Sequence, residues 1–106
     1  MIKVSVLYPA TETGRFDMDY YTSKHIPMVG SLLGTKLLRV EVDQGLAGGV
    51  PGARAPFAAI AHMYFSSVEE FQVAFGPHAA QLTADVPNYT NVEPVIQISQ
   101  LLVGGT

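Results

Sequence analysis

Four short segments of alternating apolar residues, separated by two stretches of helical spacing, leave this chain few folds to choose from. Ile2 to Tyr8 places Ile2, Val4, Val6 and Tyr8 against Lys3, Ser5 and Leu7, which is the period of a strand with one strongly apolar face. Lys36 to Gln44 alternates Leu38, Val40 and Val42 with Arg39, Glu41 and Asp43. Phe57 to Phe65 is a third strand and Pro94 to Val103 a fourth. Between the first two, after the turn-rich loop Pro9 to Arg15, a helix opens at Phe16-Asp17. Asp17 suits an N-cap, Asp19 adds negative charge to the first turn, and Gly34 suits the stop after Leu33. Between the last two, Ser66 and Ser67 precede Glu69 and Glu70 at capping-box spacing, and Val68, Phe71 and Phe75 share one helical face. Gly76-Pro77 ends that helix, a short helical piece from Ala79 to Ala84 follows, and Pro87-Asn88 makes a turn.

The order strand, helix, strand, strand, helix, strand fits a ferredoxin-like α+β sandwich, βαββαβ, in which one antiparallel sheet carries both helices on the same face. At 106 residues the whole chain, 1–106, makes one domain.

Two helices cover one face of such a sheet only. In the third and fourth strands neither phase reads as a water-facing row of charges, and charged residues are only 14% of the chain. A four-strand face measures roughly 350 Å², and covering it is worth about 8 kcal/mol. A second copy of the chain laid sheet to sheet is therefore the expected partner, giving a homodimer with a barrel-like interior. Ser5, Arg39, Glu41, His62, Tyr64, Gln97 and Ser99 fall among the apolar residues of the strands. An interior containing them resembles a small-molecule cavity more than a packed core, with His62 and Tyr64 as candidate substrate-binding groups.

Several function classes are disfavoured. Six Lys plus Arg against nine Asp plus Glu, without a basic run, give no stripe for nucleic acid. There are no cysteines, and three scattered histidines lack an HxxxH pair or a carboxylate at ligand spacing, so no metal is expected. The glycine loop Gly45 to Pro56 lacks the spacing of a phosphate-binding loop. No apolar run approaches membrane length, and MIKVSVLYP lacks the apolar core of a signal peptide, so the chain is expected in the cytoplasm.

One segment carries chemistry. In YYTSKHIPMVGSLL, from Tyr20 to Leu33, Pro27 lacks an amide hydrogen and clashes with the carbonyl of Ser23, so the helix is expected to kink or restart near Lys24 to Ile26. His25 stands at that break. It is either a general acid/base at the mouth of the cavity or a cap for the freed carbonyls. Tyr21, four residues earlier, shares its face and is placed to orient it. Tyr20 and Tyr21 otherwise read as packing residues, and His78 as a structural residue at a helix junction.

VSVLYP, RFDMDYYTSKHIPMV, GLAGGVPG, SVEEFQVAFGPH and DVPNYTNVEPVIQIS together resemble the EthD family, named for ethyl tert-butyl ether degradation. The most specific pieces are YxxxHxP, Tyr21 to Pro27, and DxPNYT, Asp85 to Thr90. The resemblance implies a dimeric α+β barrel, a superfamily that includes muconolactone isomerases, cofactor-free monooxygenases and haem-dependent chlorite dismutases. Neither His62 nor His78 lies in a haem-ligand motif, so no cofactor is expected. The resemblance draws attention to His25, while Tyr21, Pro27 and Asp85 match the motif without a role attached. The implied function is binding of a small apolar organic molecule, with isomerase- or monooxygenase-like chemistry at His25. The alternative is a non-catalytic protein that holds a ligand for a degradation pathway.

Overall fold

The computed structural model describes Met1–Gly104. Strands β1 (Ile2–Pro9), β2 (Arg39–Gln44), β3 (Phe57–Phe65) and β4 (Val95–Gln100) form one antiparallel sheet in the order β2-β3-β1-β4. The first helical stretch runs as α1 (Met18–Tyr20), a π-helical turn (Tyr21–His25) and α2 (Ile26–Leu33). The second runs as α3 (Val68–Phe75), a 3₁₀ turn (Gly76–His78), α4 (Ala79–Asp85) and a 3₁₀ turn (Val86–Asn88). This is the ferredoxin-like α+β arrangement, with no helix long and apolar enough to cross a membrane among the described residues.

The helix signals work as local chemistry requires. Asp17 caps α1 by accepting from the Tyr20 amide at 3.0 Å, and Ser67 caps α3 by accepting from the Glu70 amide at 3.1 Å. Glu70 also pairs with Lys36. Gly34 ends α2 at φ +66°, where a side chain is disfavoured. The same turn draws Lys36 into a 3₁₀ helix (Gly34–Lys36), so β2 begins at Arg39 and not at Lys36. β4 stops at Gln100, short of the expected Val103. Its ladder with β1 ends at the Ile2–Gln100 pair, beyond which a single bond from the Leu101 amide to the Met1 carbonyl at 3.1 Å continues the contact.

Cross-strand register sorts the side chains into rows. On the helical side these are Ile96/Val6/Ala61/Val42 and Ile98/Val4/Met63/Val40, all apolar. On the opposite side they are Val95/Leu7/Ile60/Asp43, then Gln97/Ser5/His62/Glu41, then Ser99/Lys3/Tyr64/Arg39. The seven polar strand residues singled out above all lie on this open side. They are linked there: Ser5 bonds His62 at 2.9 Å, Tyr64 donates to Glu41 at 2.9 Å, and Arg39 pairs with the same carboxylate. The open face is therefore mixed in character. Of the three open rows only the first is largely apolar, and it ends in Asp43, because register aligns the polar phase of β2 with that of β3.

The helical layer packs unevenly over its face. Val4, Val29, Leu33, Phe65 and Leu82 build a core under α2, α3 and α4, while Tyr8, Tyr21, Ala59, Ala61 and Tyr89 build another near the end of β1. The layer stops short of edge strand β4, where Ile96 and Ile98 stay exposed on the helical side.

Candidate functional site: a cleft between sheet and helices

Pro27 does not break the helix. Ile26 donates its amide to Tyr21, five residues back, in place of the usual four. The widened turn takes up the residue that the proline ring would otherwise displace. Two hydroxyls bond back along the same stretch: Thr22 donates to the Met18 carbonyl at 2.9 Å and Ser23 to that of Asp19. Because a π turn advances the chain by an extra residue, Tyr21 and His25 both turn inward, 2% and 7% exposed.

His25 does not cap carbonyls. Its Nδ1 lies 2.8 Å from Oδ2 of Asp85, at the end of α4. The other carboxylate oxygen of Asp85 accepts from the Tyr20 hydroxyl at 2.7 Å and from the Asn88 amide at 2.9 Å. Burial pushes the Asp85 carboxyl up, but the bonds from Asn88, His25 and Tyr20 outweigh it and hold the group below its ordinary range. Asp85 is therefore ionised at neutral pH and can only accept, so Nδ1 carries the proton. No buried side-chain nitrogen or oxygen among the described residues lacks a hydrogen-bond partner. The Nε2 of His25, which has no partner there, is accordingly open to the space in front of it.

That space is a cleft of about 680 Å³ between sheet and helices. Val6, Ala61 and Met63 form its floor, Ile26, Val29 and Leu82 its roof, and Ile96 its rim beside β4. Small Ala61 on β3 leaves room that a larger side chain would fill. At one end stand Tyr8, Tyr21, His25 and Tyr89. Tyr21 stacks on His25 at 5.4 Å and 14° without bonding to it, and Tyr89 leans on His25 at 4.7 Å. The Tyr8 and Tyr89 hydroxyls are 2.7 Å apart. Burial pushes the ionisation of Tyr8, Tyr21 and Tyr89 up, so all three stay neutral phenols.

Of the four candidate residues, the fold brings His25 and Tyr21 to this cleft. His62 and Tyr64 lie on the opposite face of the sheet, so the four do not share one site, which corrects the single cavity expected for them. Tyr20, Asn88 and Tyr89 escaped sequence reading as site residues. Their only signal was membership of the YYTSKHIP and DVPNYT segments, which the structure joins. The Asp17 amide donates to the Tyr89 carbonyl at 2.7 Å, and Phe16 bridges Thr90. Among the described residues no cluster of His, Asp and Glu is arranged to hold a metal ion.

With the two segments seen as one site, comparison with known proteins is informative. The EthD domain model matches residues 11–93, spanning both. The chain belongs to the EthD family. An EthD-like protein of Ralstonia eutropha superimposes with a TM-score of 0.94 at 42% identity, covering 99% of this chain and 95% of that one. An ethyl tert-butyl ether degradation (EthD) family protein of Bacillus halodurans, at 19% identity and a TM-score of 0.65 over 94% and 97% of the two chains, shares the fold. An uncharacterised 11.0 kDa protein from the thcB-thcC intergenic region of Rhodococcus erythropolis is 33% identical over 94 residues, 86% of this chain and 85% of its own.

Proposed function

We propose that the cleft binds a small, mostly apolar organic molecule and that His25 moves a proton on it. The carrying observation is the polarity of one imidazole: Nδ1 lies 2.8 Å from an ionised carboxylate, while Nε2 has no protein partner on a residue that lines the cleft. Such a pair holds one tautomer, presents a lone pair to the ligand, and stabilises the imidazolium once formed. The volume falls within the range of ordinary ligand sites, and the walls are largely apolar, so the ligand is too. Chemistry that needs only the chain's own side chains follows: isomerisation through a carbanion, or reaction of that carbanion with dioxygen. We also propose that two copies pair through their open sheet faces. The supporting features are the Val95/Leu7/Ile60 row and the low charge content.

A flat apolar probe with one acidic C–H, 5-nitrobenzisoxazole, tests the base. Removal of that proton breaks the N–O bond and releases a coloured phenolate. Saturable turnover by the protein that falls roughly 100-fold or more in His25→Ala supports the reading. Equal rates in both proteins overturn it. If both still bind the probe equally, the cleft is a carrier site, which is the competing reading.

A further inference from the structure

The three phenols beside His25 are not used by the proton-transfer reading, although they are among the most buried groups of the chain: Tyr8 is 3%, Tyr21 2% and Tyr89 0% exposed. Leucine or phenylalanine would fill the same volume without the cost of burying a hydroxyl. All three line the cleft. Tyr8 and Tyr89 share one hydrogen bond of 2.7 Å. Tyr8 also shares a hydrogen bond with Tyr21, so the three phenols carry three O–H groups and their mutual bonds consume two. The third remains as a donor at the end of a polarised chain, next to an imidazole whose Nε2 accepts.

From this juxtaposition we infer that the Tyr8–Tyr89 pair is an oxyanion-binding element, and that the ligand is a carbonyl compound with an acidic C–H beside the carbonyl. This rests on the proton-transfer reading and gives it a substrate class. Nε2 of His25 takes the proton from the α-carbon. The C–H electron pair becomes the C=C of an enolate, and the carbonyl π pair moves to oxygen, which receives the phenol hydrogen bond. Where a β,γ C=C extends the enolate to a dienolate, the imidazolium, held by Asp85, returns the proton to its γ-carbon, the C=C moves into conjugation and the C=O reforms. The product is an isomer, and nothing else is consumed. Neutral phenols suit this task, because a donor must keep its proton to stabilise a developing charge. Their burial, which opposes ionisation, keeps them so.

The test compares 4-nitrophenol, whose absorption distinguishes phenolate from phenol and which mimics the enolate, with 4-nitroanisole, which has no oxyanion. Wild-type protein should bind the phenolate form about tenfold or more tightly than the anisole. Tyr8→Phe and Tyr89→Phe should each lose most of that preference while binding 4-nitroanisole within about twofold of wild type, a split that a merely structural defect would not give. Because imidazolium alone also favours an anion, His25→Ala serves as the third arm: the phenol-dependent part of the preference persists in it. Anisole binding without phenolate preference, or a preference untouched in both phenylalanine variants, overturns the oxyanion element and leaves the cleft reading standing. Binding of neither probe removes the cleft reading and this inference with it.

Discussion

The imidazole of His25 and the carboxylate of Asp85, sixty positions apart in the chain, meet at 2.8 Å in a pocket where both side chains are largely buried. The contact joins the π turn of the first helical stretch to the end of the second, so one hydrogen bond links local backbone geometry to the chemistry of the cleft. Asp85 in turn is held by Tyr20 and Asn88, which leaves neither ring nor carboxylate free to rotate.

Asp85→Asn keeps the size of that partner but removes its charge. The amide can offer either a donor or an acceptor to Nδ1, so His25 no longer holds a single tautomer. Turnover of 5-nitrobenzisoxazole should drop roughly tenfold or more. Nitrogen-15 correlation spectra of the ring should change from one neutral tautomer, protonated at Nδ1, to a mixture. An unchanged rate and an unchanged spectrum would remove Asp85 from the site.

Stability against acid follows from the same carboxylate. Its folded value lies below the ordinary 3.8, so the unfolded chain takes up a proton there first as pH falls. The contribution is whole above that ordinary value and disappears as pH drops through the lower folded one. Urea midpoints measured from pH 6 downward should therefore fall for the wild type and flatten in Asp85→Asn. Glu41, held low by hydrogen bonds from Tyr64 and Arg39, acts in the same direction, so the variant's curve is not fully level. Parallel curves for the two proteins would contradict the assignment.

Two glycines within nine residues of His25 should respond oppositely to alanine. Neither Gly30 nor Gly34 has an atom within 4 Å of where a Cβ would sit, so packing does not decide the outcome. Gly30 lies within α2, and Gly30→Ala should stabilise by about 0.5–1 kcal/mol. Gly34 sits at φ +66°, and Gly34→Ala should cost about 1–2 kcal/mol. Chemical denaturation at neutral pH measures both, and the opposite signs are the essential outcome.

Ile60→Arg places a charge in the one largely apolar row of the open face without touching the cleft, which lies on the other side of the sheet. Sedimentation equilibrium should show two chains per particle for the wild type and one for the variant, with binding of 4-nitroanisole retained. A wild-type protein of one chain at micromolar concentration would end the pairing proposal.

Much of this architecture was legible in the residues, because its causes are local. Alternation in Ile2 to Tyr8 and Phe57 to Phe65, the Asp17 and Ser67 caps and the Gly34 stop each depend on neighbours within a turn or two. The strand ends erred where a partner mattered: Pro94 to Val103 alternates far enough to suggest a longer strand, but the ladder with β1 covers only Val95 to Gln100. The helix was expected to kink or restart near Lys24 to Ile26; the chain widens the turn Tyr21–His25 and resumes α-helical bonding from Ile26, a form the sequence did not specify.

What the sequence by itself determined is the element order, the sheet with helices on one face, and the presence of a histidine at an unusual helical turn. All three follow from periodicity and from what proline and glycine do to a backbone. Only the tertiary structure decided which phase of each strand meets the helices, because register depends on pairing between strands that are distant in the chain. It put His62 and Tyr64 on one side of the sheet and His25 on the other, and gave His25 its partner. An Asp85 contact across sixty residues leaves no local trace, since it forms only when two helical stretches pack on the same sheet face.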